Sequence, residues 1–132
     1  MTQTFPTSTS NAILGFHLAD RLKSELITAS RLLNAVMQMQ DEQQEGARQL
    51  FLEYMRALLQ EVTLCESMIT EQEMVRVRTV FHGLLGLVAE GQLQDIQTNL
   101  TWIITIMTTY AQRAMQFLYD QNLLLPGGGC RP

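Results

Sequence analysis

The stretch from Leu93 to Leu118, LQDIQTNLTWIITIMTTYAQRAMQFL, limits the fold more than any other part of the chain. Stepping alternately by three and four gives Leu93, Ile96, Leu100, Ile103, Met107, Tyr110, Ala114 and Phe117, all apolar or amphipathic. Such a seam is one stripe along a helix, and it must be buried against another helix at a shallow crossing angle. The prolines agree with this: Pro6, Pro126 and Pro132 lie near the ends, and the interior from Asn11 to Leu125 contains none. An uninterrupted interior suits long helices rather than strands and turns.

The remaining helices follow from the same periodicity. Residues Met1 to Ser10 are Thr/Ser-rich and read as a flexible lead-in, with Ser10 or Asn11 as a cap for the first helix. That helix runs to about Met39 with Leu14, Leu18, Leu22, Leu26, Ala29, Leu33 and Val36 on one side. The polar stretch Gln38 to Gly46 predicts a turn near Asp41, unless the helix runs straight through it. The second helix carries Ala47, Leu50, Phe51, Tyr54, Leu58, Val62, Cys65 and Ile69 and ends near Ser67 to Thr70. Thr70 followed by Glu73 has the pattern of a capping box for a third helix striped with Met74, Val77, Phe81, Leu84 and Val88. Gly91 is a natural stop, and the fourth helix is expected from about Gln92 to Asn122. The chain then divides into a lead-in (1–10), one helical domain (11–125) and a Gly-rich tail (126–132).

Composition narrows the function classes. With 132 residues, 46% hydrophobic and 17% charged, the chain can bury one core and is not of the disordered acidic type. Its net charge of −4 and scattered arginines argue against a nucleic-acid binder, which needs a concentrated basic face. No run is apolar enough to span a bilayer and no secretory leader is visible, so a soluble cytoplasmic protein is expected. The two cysteines, Cys65 on an apolar stripe and Cys130 in the tail, do not form a disulfide framework.

Catalytic and metal motifs are weak. His17 and His82 have no Cys or His at three or four positions beyond them, and no Glu three positions before. Zinc sites and carboxylate-bridged di-iron sites both need such pairs. Glu53 and Glu61 flank the second helix's stripe, where a buried carboxylate could act as an acid or base, though such residues usually reach solvent. Phe81 to Gly86, FHGLLG, would permit a close helix approach or leave a groove. No catalytic residue, metal ligand or cofactor is assigned.

The most unusual surface is the outer face of the fourth helix. At ~100° per residue, Thr98, Thr101, Thr105 and Thr108 cluster opposite the seam, and Trp102 and Ile106 widen the apolar arc. Between Gln92 and Asn122 the charged residues are Asp95, Arg113 and Asp120. Solvated helix faces normally carry Lys and Glu, whereas interface centres favour Trp and lack them. Thr98, Thr101, Trp102, Thr105, Ile106, Thr109 and Arg113 are therefore the candidate interface. Eight methionines add adaptable apolar surface.

These readings combine into an all-α fold, an antiparallel up-down-up-down four-helix bundle, with a long helical hairpin that dimerises as the alternative. In outline it resembles four-helix secretion chaperones and adaptors. The expected function is a non-enzymatic protein–protein interaction module, homodimeric through helix four or bound to a protein partner, with no nucleic acid and no membrane. A ligand- or cofactor-binding bundle using His17 and His82 is the alternative, and a small helical enzyme the third.

Overall fold

The computed structural model describes residues 4–122. Over that range the chain forms four helices, α1 (Thr9–Gln38), α2 (Asp41–Met68), α3 (Gln72–Ala89) and α4 (Ile96–Asp120), with no strand among the described residues. The tail, Cys130 and Leu123 to Leu125 lie outside it. Helix α1 packs against α2 and α4, α2 against α3, and α3 against α4 less closely, while the diagonal pairs make no close backbone approach. No described helix is long and apolar enough to cross a membrane.

The α4 seam is the inner stripe of that helix. Leu93, Ile96, Leu100, Ile103, Met107, Tyr110 and Ala114 are buried, and Phe117 is half-buried against the core. All five stripe residues of α3 are buried too. On α1 and α2 the expected stripes are only partly right. The buried line of α1 is Ala12, Gly15, Ala19, Leu22, Leu26, Ala29, Leu33 and Val36, and Leu14 is exposed. On α2 the line is Phe51, Met55, Leu58, Val62, Cys65 and Ile69, and Leu50 is 74% exposed. A spacing of four repeated without a three drifts around a 3.6-residue helix, so Leu14 and Leu18 lead away from the core line rather than along it.

The helix ends also depart from expectation in places. Helix α1 starts earlier than Ser10 or Asn11 would cap it: Ser8 is the cap, and its Oγ accepts from the Asn11 N–H at 3.0 Å. The break between α1 and α2 falls at Met39 and Gln40. Asp41 takes a left-handed φ of 54° as α2 begins, so the continuous α1–α2 helix of the hairpin alternative does not form. Gln44 Nε2 donates to the carbonyls of Val36 and Met39 at the end of α1, the first of which also accepts the Met39 N–H.

The capping box at Thr70 is not made. Glu71 is the cap of α3, no side chain closes it, and the Glu71 carboxylate is engaged elsewhere. At the other end of α3, Gly91 has φ 79°. Its N–H bonds the Val88 carbonyl at 3.1 Å and the Gln92 N–H bonds that of Leu87 at 2.9 Å, the paired Schellman pattern. Arg48 of α2 adds donors to the Val88 and Ala89 carbonyls at 2.8 and 3.0 Å. Helix α4 begins at Ile96 rather than Gln92, after a short turn over Leu93 to Asp95.

Candidate protein–protein interface

The outward face of α4 carries its threonines. Thr98, Thr101, Thr105 and Thr109 are exposed, and Thr108 is half-buried. The hydroxyls of Thr101, Thr105, Thr108 and Thr109 each donate to the carbonyl four residues earlier, at 2.8–3.0 Å. A Thr bonded back in this way has its hydroxyl donor engaged by the helix's own backbone. The face is therefore uncharged and less hydrophilic than its composition implies.

Trp102 and Ile106 sit on the flank turned toward α3, half-buried against the core. The Arg76 guanidinium lies 5.8 Å from the Trp102 ring centroid. These two side chains occupy the side where α3 and α4 approach each other least. They belong as much to the bundle as to its surface.

Arg113 is drawn away from the threonine face to the end of the bundle. Its Nη1 donates to Glu71 Oε1 at 3.2 Å, and its Nη2 to Glu71 Oε2 and the Phe5 carbonyl at 2.5 Å each. The Glu71 carboxylate also accepts the Phe5 N–H at 2.5 Å and faces the Tyr110 hydroxyl at 3.4 Å. Burial pushes the Glu71 carboxyl upward, but Arg113 and the Phe5 N–H outweigh it and hold the group below the ordinary carboxylate range. Burial pushes the Tyr110 phenol up, and the Glu71 charge adds to that. The Phe5 ring is 2% exposed and packs edge-on against Tyr110 at 5.8 Å between centroids. Asn11 completes this end, donating to the Met68 carbonyl and accepting from the Thr7 N–H, both at 2.9 Å.

A second surface, on α1 and α2, escaped the reading of the sequence. Leu32, Ala35, Val36, Met39, Ala47, Leu50, Phe51 and Tyr54 line an apolar groove of about 200 Å³. By helical phase Leu14, Leu18, Arg21, Glu25, Thr28, Leu32, Ala35 and Met39 form one line along α1. Ala47, Leu50, Tyr54, Ala57, Glu61, Leu64 and Met68 form its counterpart on α2. Both lines keep three-and-four spacing, so each helix carries two seams, one inward and one facing this flank. Leu14, Leu32, Met39, Leu50 and Leu64 are exposed. Exposed apolar side chains grouped at the two ends of one flank mark interaction sites more often than scattered ones do. The middle of the flank is polar: Arg21 pairs with Glu61 at 3.3 Å, and the Tyr54 hydroxyl donates to Glu25 Oε2 at 3.1 Å.

The groups weighed for chemistry are not gathered. His17 on α1 and His82 on α3 are both exposed, on helices with no close approach to each other. Glu53 is exposed and paired with Arg56. Among the described residues no three potential metal ligands cluster. Cys65 is buried against the Leu18 carbonyl, and burial pushes its thiol up to about 12, so it stays protonated at neutral pH. Gly83 and Gly86 do not mediate a close helix approach, because a Cβ at either position would meet nothing within 4 Å.

Comparison with protein-family models, with curated protein sequences and with solved structures gives no match for this chain.

Proposed function

We propose that this chain is a non-enzymatic protein-interaction module, acting as a homodimer or with a protein partner. We also infer that its helices alternate up and down around the bundle. Cross-helix contacts support that topology: on α1 the order Asn11, Leu18, Arg21 meets the reverse order Met68, Cys65, Glu61 on α2. Arg48 and Glu66 of α2 likewise meet Val88 and Arg78 of α3 in reverse order.

The observation that carries the interaction reading is the placement of exposed apolar side chains. A chain with no buried polar or charged residue among those described nevertheless leaves Leu14, Leu32, Met39, Leu50 and Leu64 in water along one flank. The uncharged threonine face of α4 is a second surface of the same character. A cytoplasmic setting is part of this proposal.

The test is site-specific photocrosslinking in the native cell, with the reactive group at Thr28 on the flank or Thr105 on α4. Discrete crosslinks to protein are expected from at least one position, and a control at exposed Gln43 should give none. Absence of discrete products from both positions overturns the reading.

A further inference from the structure

We propose that the α1–α2 flank is a two-fold surface that takes a second copy of this chain. This rests on the interaction reading above and names its partner. The argument begins with the layout of the flank along the helix axis. Arg21–Glu61 and Tyr54–Glu25 fix which positions of α1 and α2 are level with one another. At ~1.5 Å per residue, Leu14 lies at one end with Leu64 nearby, and Leu32 lies about 27 Å further along beside Leu50. Arg21 and Glu25 fall between, about 10 and 16 Å from Leu14.

A two-fold axis lying in the plane of the flank, across the helices at the midpoint of this strip, seats a second copy face to face on it, with α1 over α1 and α2 over α2 running in opposite directions. The Leu14 and Leu64 end of one copy then meets the Leu32 and Leu50 end of the other, at both ends at once. Leu50 is an exposed knob beside the groove of Leu32, Met39 and Tyr54, so a partner's apolar end has a place to sit. In the middle, Arg21 of one copy comes level with Glu25 of the other to within about 1 Å along the helix direction. Opposite charges thus meet across the axis, and like charges do not. This charge match is what favours a second copy over an unrelated apolar segment.

The apolar residues Leu123 to Leu125 of the same chain do not fit the groove as well. They follow Asn122, which lies at the Phe16 and Met115 end of α1 and α4. Three residues span at most about 10 Å, against about 35 Å to Leu32 along α1. Two helices side by side, about 20 Å across and 27 Å long, give a footprint near 540 Å² per copy, or about 1,100 Å² in all. That lies just below the range of stable specific interfaces, so a reversible, concentration-dependent dimer is expected.

Leu14→Lys and Leu50→Glu test the proposal, since both side chains are exposed and neither supports the core. The measurement is sedimentation velocity from about 1 to about 200 µM, with circular dichroism to show that each variant is folded. The wild type should shift from monomer to dimer, and each variant alone should dimerise at least about tenfold more weakly. An equimolar mixture should recover dimer, because the two-fold brings the new ammonium of the Leu14→Lys copy and the new carboxylate of the Leu50→Glu copy to the same end, on neighbouring helices within side-chain reach, and leaves the other end apolar. A wild type that stays monomeric, variants that dimerise as the wild type does, or a mixture no tighter than its components would each overturn the self-pairing. A monomeric wild type that still gives discrete crosslinks from Thr28 or Thr105 in the cell would remove the second copy as occupant and leave the interaction reading in place.

Discussion

Replacing Gly15 with Ala tests how the bundle end is built, because the expected sign depends on a residue ten positions away. A Cβ on Gly15 would lie 2.3 and 2.4 Å from two carbons of the Phe5 ring, too close for any real contact. Ala in a helix interior is otherwise favourable over Gly by ~1 kcal/mol. The ring must move, and full loss of its burial costs ~2–3 kcal/mol, with ~0.5–1.5 kcal/mol more for the edge-on pair with Tyr110. Because the clash is with the far end of a side chain that precedes α1 and is not held in a helix, part of that loss is relaxed. Gly15→Ala should therefore destabilise by about 1–2 kcal/mol net. In a Phe5→Ala background the obstruction is gone, and the same change should stabilise by about 1 kcal/mol. Urea denaturation of the four proteins of the cycle, followed by far-ultraviolet circular dichroism, gives the coupling directly, expected at roughly 2–3 kcal/mol. Equal stabilisation by Gly15→Ala with and without Phe5 would show that the ring is not seated over Gly15, and the packing argument for this end would fail.

Two further outcomes follow from the same geometry. Glu71 has its folded-state carboxyl held low, so its contribution is complete above the ordinary carboxylate value of ~4.3 and is lost as pH falls through the folded value. Denaturation at stepped pH should show the wild type losing stability below about pH 4.5 more steeply than Glu71→Gln, which should itself cost about 1–2 kcal/mol at pH 7. Parallel pH profiles for the two proteins would exclude the Glu71–Arg113–Phe5 linkage. Gly83→Ala and Gly86→Ala, on an open helix face, should each raise stability by about 0.5–1 kcal/mol, read as a higher urea midpoint. Destabilisation by either would mean that something covers that face.

What the sequence discloses here depends on how many seams a helix carries. Helices α3 and α4 bury a single dominant line, and Met74 to Val88 and Leu93 to Ala114 can be read off directly. Helices α1 and α2 carry two lines each, and a single stripe drawn through Leu14, Leu18 and Leu22, or through Leu50 and Phe51, crosses from one to the other. The signal that separates them was present: Ala12, Gly15 and Ala19 keep strict three-and-four spacing with Leu22, but small residues do not look like a core. Three small residues in succession leave a space, and Phe5 fills it. Glu71 was out of reach for a different reason. A capping box is a local pattern, whereas the Arg113 that claims the Glu71 carboxylate lies 42 positions away. The threonine face of α4 was legible as composition, but the direction of its hydroxyls needed the backbone.

The contact between Arg113 and Phe5 joins positions 108 residues apart. During synthesis at ~5–20 residues per second, Phe5 is added to the chain at least about 5 s before its partner exists. Tyr110 and Glu71 also arrive after it. The first helix is thus made with one end unsealed, and the seal forms only when the second half of the last helix emerges. Any message cut short before Tyr110 would yield a chain in which the Phe5 segment has no seat, so the defect would show at α1 although the missing residues belong to α4.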